Sequence, residues 1–217
     1  MQPLLIYCYD AYCGWCYGFS PVMKKIGEDF KDQIQFEVLS GGMMTGENKA
    51  PIEKIAPFIQ GAYKRVEELT GIQFGEDFLW HINNPQQSDW VMNSEKPAIA
   101  LCIFKELYPD QQVNFASDLQ YALSYEGRDL DDDEAYRHLL IKYHIAADGF
   151  YEKLHSEQYK EQAHYEFALC KQLQVTGFPA VLIQLSDNKF YLVAKGYTPY
   201  EELSERITAV LKEAENK

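Results

Sequence analysis

Cys13 and Cys16 stand two residues apart in Cys13-Gly14-Trp15-Cys16. That spacing lets two sulfurs meet within one helical turn, so they can form and open a disulfide. The chemistry such a pair carries is thiol–disulfide exchange. A thiolate attacks a disulfide sulfur, and a second thiol then releases the product. One sulfur must therefore be ionised near neutral pH, and the first turn of a helix favours this through its unpaired N–H groups and dipole. Cys13 is the expected nucleophile and Cys16, one turn deeper, the resolving thiol. Two other readings are a pair of inert buried thiols and half of a zinc site. The zinc reading lacks its other ligands, because no second C-x-x-C and no H-x-x-x-H occurs, and the five histidines show no ligand spacing.

The elements that must position the pair follow from periodicity. Leu4 to Tyr9 is a short apolar and aromatic run, expected to be a buried strand. Phe19, Val22, Met23, Ile26 and Phe30 then recur at helical spacing, so the two cysteines sit where a strand gives way to a helix. Gln33 to Leu39 alternates with period two and predicts a second strand, ended by Ser40-Gly41-Gly42. A β–α–β unit has a right-handed crossover and parallel strands.

From Pro51 to Leu173 the pattern turns helical. Ile52, Ile55, Phe58, Ile59, Tyr63 and Val66 make one stripe; further helices are expected over 97–108, with Pro97 at its first position, over 113–125, after the Asp131–Glu134 carboxylates, and over 157–173. Two strands return at 179–185 and 190–194 around Ser186-Asp187-Asn188, an antiparallel hairpin, before a last amphipathic helix with Leu203, Ile207, Val210 and Leu211. The expected fold class is α/β: a thioredoxin-like core (β-α-β … β-β-α) with an inserted all-helical domain. The expected boundaries are 1–48 and 174–217 for the core and 49–173 for the insertion.

The 33 acidic against 20 basic residues among 217 give a net charge of −13, which disfavours nucleic acid and anionic membranes as partners. No apolar stretch approaches the length of a bilayer span. Asp131–Glu134 lacks the alternating ligands and central glycine of a calcium loop. Cys8, Cys102 and Cys170 lie inside apolar patterns and read as small buried hydrophobes, which suits a reducing compartment. The apolar run begins at once, with no basic region or cleavage site before it, so the expectation is an unexported, cytoplasmic protein.

Several residues around the pair admit two readings. Asp10 either tunes the thiols and relays protons or caps the first helical turn. Trp15 either walls a substrate groove or packs against the helical insertion, and Tyr12 and Tyr17 share that choice as candidate substrate contacts. Met43, after Gly41-Gly42, either lines an adaptable groove or belongs to the core.

At motif level the chain resembles the DsbA superfamily of thioredoxin-like oxidoreductases, in its FrnE-like branch of protein-disulfide isomerases. Asp10-x-x-Cys13-x-Trp15-Cys16-Tyr17 is similar to that branch's D-x-x-C-x-W-C-Y signature, and Val175-Thr176-Gly177-Phe178-Pro179 to the segment carrying the superfamily's cis-proline. The resemblance implies a cis Pro179 beside the cysteines, with the Phe178 backbone free to pair with an extended substrate. Without the resemblance the sequence does not justify a cis bond, and the alternative is a trans proline opening a strand. It implies a reductase or isomerase acting on protein or small-molecule disulfides, no metal or organic cofactor, and recycling by an external thiol reductant. Departures matter too. The Gly14-Trp15 dipeptide lacks the histidine of strongly oxidising relatives, so the expected potential lies toward the reducing end of the range from about −120 to −270 mV. Phe178 is larger than the Thr or Val of many relatives, which narrows the groove. A redox-responsive adaptor that binds client proteins with little turnover is the alternative function. The superfamily's glutathione-linked transferases and isomerases are a third, which a cysteine at position 13 in place of their serine argues against.

Overall fold

The computed structural model describes residues 2–215, with side chains to residue 214. β1 (Leu4–Tyr9) leads through a four-residue loop into α1 (Gly14–Phe30), and β2 (Gln35–Ser40) follows. Strand side chains alternate between faces. Leu5, Tyr7 and Tyr9 thus enter the core shared with Phe19, Met23 and Ile26 of α1, while Ile6 and Cys8 turn to the opposite face. β5 (Ala180–Ser186) and β6 (Lys189–Lys195) complete a four-stranded sheet in the order β2-β1-β5-β6. β1 and β2 are parallel, as the crossover requires, and the other two pairings are antiparallel. α9 (Tyr200–Glu215) packs on α1 and β6.

Between β2 and β5 run α2 (Ile52–Thr70), α3 (Glu76–Asn83), α4 (Glu95–Leu107), α5 (Gln112–Ser124), α6 (Arg137–Lys142), α7 (Ala147–Leu154) and α8 (Glu157–Gln172). The segment is not wholly helical: β3 (Ala50–Pro51) and β4 (Val91–Met92) form a two-residue antiparallel ladder, too short to leave a period-two signal. α4 starts at Glu95, so Pro97 is its third residue rather than its first; that position also needs no N–H. Asp132 accepts from Glu134 N at 3.1 Å and opens a 3₁₀ turn over Asp133–Tyr136 that runs into α6. α2 ends at Gly71, whose φ of +76° suits a left-handed helix terminus and whose N–H donates to Glu67 O at 2.8 Å.

Two features fix the frame under the cysteines. Pro21 lies inside α1 and cannot donate to Tyr17 O; the Ser20 hydroxyl donates to that carbonyl instead, at 2.8 Å. The outer edge of β2 is sealed by side chains. Gln112 of α5 accepts from Val38 N at 2.6 Å and donates to Phe36 O at 2.8 Å, imitating a further strand. Lys105 of α4 donates to Val38 O at 2.8 Å, and Glu166 of α8 accepts from Ser40 N at 2.9 Å. Lys105 and Glu166 pair at 2.7 Å, with Glu37 as a second partner of the lysine, so the buried charges are matched.

Candidate active site

Cys13 is the residue before the first turn of α1, with extended backbone (φ −86°, ψ 109°). The backbone N–H groups of Cys16 and Trp15, in the first turn of the helix, interact with its sulfur. The Cys13 thiol is pulled below its usual pKa, first by the hydrogen bond from the Cys16 thiol and further by those amides, against the opposing effect of burial. Cys16 is pushed well above the usual value, chiefly by burial and then by Cys13 beside it. Cys13 as a residue is 8% exposed and Cys16 is wholly enclosed. The hydroxyl end of Tyr7, from β1, lies against Cys16. Both cysteines are free thiols.

The segment before β5 meets the pair from the other side. The Phe178–Pro179 peptide is cis, and Phe178 O accepts from Cys13 Sγ at 3.5 Å. Phe178 does not simply project into open space. Its ring lies against Gly41, where a Cβ would come within 1.9 Å of it. Gly42, at φ +66°, takes a left-handed conformation and carries the Phe167 ring, 2.7 Å from where its Cβ would stand. Gly14 sits 3.4 Å, by the same measure, from the ring of Phe74, which reaches over α1 from the loop after α2.

Asp10 is 1% exposed and does not cap α1, which has no side-chain cap. Its Oδ1 accepts from Tyr12 N at 3.0 Å and Ser94 Oγ at 2.8 Å, and its Oδ2 from Met43 N at 2.7 Å. The carboxyl thereby ties the loop after β1 to the loop after β2 and to α4. Burial raises its pKa and the donors partly offset that. Its backbone carbonyl accepts from Cys13 N at 3.1 Å and from Gln120 Nε2 of α5 at 3.4 Å.

Of the two readings open for Tyr12 and Tyr17, groove wall or packing, their burial favours packing. Both are less than a tenth exposed, and the Tyr17 hydroxyl is used on Gln73 O at 3.0 Å while its ring meets Phe74 edge-on. Trp15 is half-buried against the main core. Met43 contributes its backbone N–H to Asp10, and its partly buried side chain packs on the same core. Cys8, Cys102 and Cys170 are buried; Cys102 donates to Glu166 at 3.4 Å and burial pushes its thiol up. Ser94, Gln120, Phe74 and Gly41 all bear on the site although sequence reading did not single them out. Gly41 lay within Ser40-Gly41-Gly42 and Gln120 within the helix expected over 113–125, whereas Ser94 and Phe74 lay in neither a motif nor an expected element. No group of His, Cys, Asp or Glu among the described residues could hold a metal ion, and no described helix is long and apolar enough to cross a membrane.

A family model described as a DSBA-like thioredoxin domain matches residues 5–208. No curated protein matches the chain. Among solved structures, a candidate protein disulfide isomerase from Nitrosomonas europaea is 23% identical and superposes over 98% of this chain and 99% of its own with a TM-score of 0.84. The cytosolic disulfide reductase DsbM from Pseudomonas aeruginosa is 22% identical over 95% of this chain and 98% of its own, with a TM-score of 0.76, and its structure with GSH gives 0.71. At these identities the likeness is one of fold.

Proposed function

Because the chain belongs to the DSBA-like thioredoxin domain family, we propose that it is a thiol–disulfide oxidoreductase, working as a reductase or isomerase through Cys13 and Cys16. The observation that carries this reading is the placement of the pair: Cys13 precedes the first turn of α1 with its Sγ 3.5 Å from Phe178 O, and Cys16 is enclosed within that turn. The Cys13 thiolate attacks a substrate disulfide, forming a mixed disulfide and releasing the first substrate thiolate. Cys16 then gives up its proton, for which Asp10 is the nearby carboxyl whose proton affinity burial has raised. The Cys16 thiolate attacks Cys13 Sγ, the second substrate thiolate leaves, and the protein holds the Cys13–Cys16 disulfide. Two external thiols return it to the dithiol, and glutathione suits this role as the molecule bound to the DsbM neighbour. Phe178, Pro179, Gly14 and Trp15 shape the approach to Cys13. Residues 49–173 act as a helical unit inserted into the thioredoxin-like core, and the cytosolic neighbour supports a cytoplasmic setting.

Alkylation of the native protein against pH tests this directly. Cys13 should react with a midpoint below the ordinary cysteine value of about 8.5, and Cys16 should stay unmodified. A glutathione redox titration should give a potential nearer to about −270 than −120 mV. Cys13→Ser should abolish reduction of a model disulfide, and Cys16→Ser should trap the mixed disulfide. An unacidified Cys13 with no turnover would refute the reading.

A further inference from the structure

The Asp10 carboxyl is held by backbone N–H groups of Tyr12, Gly42 and Met43, all fixed by the loops they belong to. Its remaining donor is a side chain from a distant part of the chain, the hydroxyl of Ser94, 2.8 Å from Oδ1. Ser94 precedes α4, where a serine oxygen ordinarily accepts from the N–H groups of the first turn. Here it caps nothing on α4. Its Oγ instead accepts from Met44 N, and its own N–H donates to Met44 O, each at 3.0 Å. The residue is 2% exposed, so water does not compete for the hydroxyl. A helix cap has been given up for a contact with the carboxyl beside the two thiols.

We propose that Ser94 is a positioning residue for the redox pair: reaching from α4, it fixes the Asp10 carboxyl and sets how readily that carboxyl takes the proton of Cys16. This deepens the exchange reading above and rests on it for its kinetic consequence. The titratable groups that feel Asp10 are Tyr9 on β1, Tyr12 in the following loop, Cys13 and Cys16 at the start of α1, and Cys170 from α8. α4 and α5 contribute the neutral partners Ser94 and Gln120. Against burial, which raises the Asp10 carboxyl, the Ser94 hydroxyl is one of the groups holding it down. Its removal therefore leaves Asp10 protonated to higher pH, and a protonated Asp10 cannot accept from Cys16.

The test follows Asp10 itself by carboxyl ¹³C NMR in the full-length protein, its signal assigned by its loss in Asp10→Asn. In Ser94→Ala the midpoint should rise by about one unit, a tenfold change, as expected for a hydrogen bond to a charged group. Ser94→Thr, which keeps the hydroxyl, should restore it. Resolution of a preformed mixed disulfide on Cys13 should slow in Ser94→Ala at neutral pH, with its acid limb displaced upward by the same amount. In an Asp10→Asn background the Ser94 substitution should add no further slowing. An unmoved Asp10 midpoint, or equal slowing with and without Asp10, overturns the proposal. The carboxyl titration needs no turnover, so a shifted midpoint in a protein without exchange activity would sink the exchange reading and leave the Ser94–Asp10 linkage standing.

Discussion

Gly41→Ala is the most exacting test of how the Phe178–Pro179 segment is held against the cysteines. The new methyl would stand 1.9 Å from Phe178 Cζ and 2.3 Å from Cε1, so the ring must retreat by about 1.5 Å to the 3.4 Å at which ordinary contact begins. Phe178 packs on both hydrophobic clusters, one on each side of the sheet, so the movement disturbs both. Overpacking of this kind costs roughly 1–3 kcal/mol. For a chain of this length that lowers Tm by about 2–12 °C, at about 2–4 °C per kcal/mol. Differential scanning calorimetry of the single and double variants measures it. Phe178→Ala alone removes the ring, and in that background Gly41→Ala should cost almost nothing, a coupling of about 1–3 kcal/mol. Strictly additive effects in the double variant would show that the Gly41–Phe178 contact is not what requires a glycine there.

Glu166→Leu should destabilise by about 3 kcal/mol in urea unfolding, the low end for a broken buried pair because Glu37 still faces Lys105; a loss below 1 kcal/mol would mean the cluster is solvated. Asp10, with its folded pKa raised by burial, binds its proton more tightly in the folded protein than in the unfolded chain. Stability contributed by its protonated form is therefore full below the unfolded value of about 3.9 and is lost as pH rises through the folded value. Asp10→Asn should flatten that part of the stability-versus-pH curve, and an unchanged slope would refute the burial argument. Gly61→Ala, on an exposed face of α2 with nothing within 4 Å of the new methyl, should stabilise by about 0.4–1 kcal/mol, and thermal unfolding decides it.

Local patterns carried much of this protein. Strand and helix periods set β1, α1 and β2, the parallel crossover, the closing hairpin and the position of Cys13 at a helix start, because side-chain alternation and the orphan amides of a first turn depend only on neighbours in the chain. The ladder of β3 and β4 was invisible because two residues cannot display a period. The role of Asp10 was undecidable locally. A buried carboxyl goes wherever its donors are, and those come from Met43 and Ser94, thirty-three and eighty-four residues away. The same holds for Tyr17, whose hydroxyl finds Gln73, and for Phe178, whose ring found a floor in Gly41. The sequence by itself determined which sulfurs could do the chemistry. Only the tertiary structure decided what surrounds them, since the partners of a buried polar group or ring are chosen by packing between distant segments and leave no mark on the residues nearby.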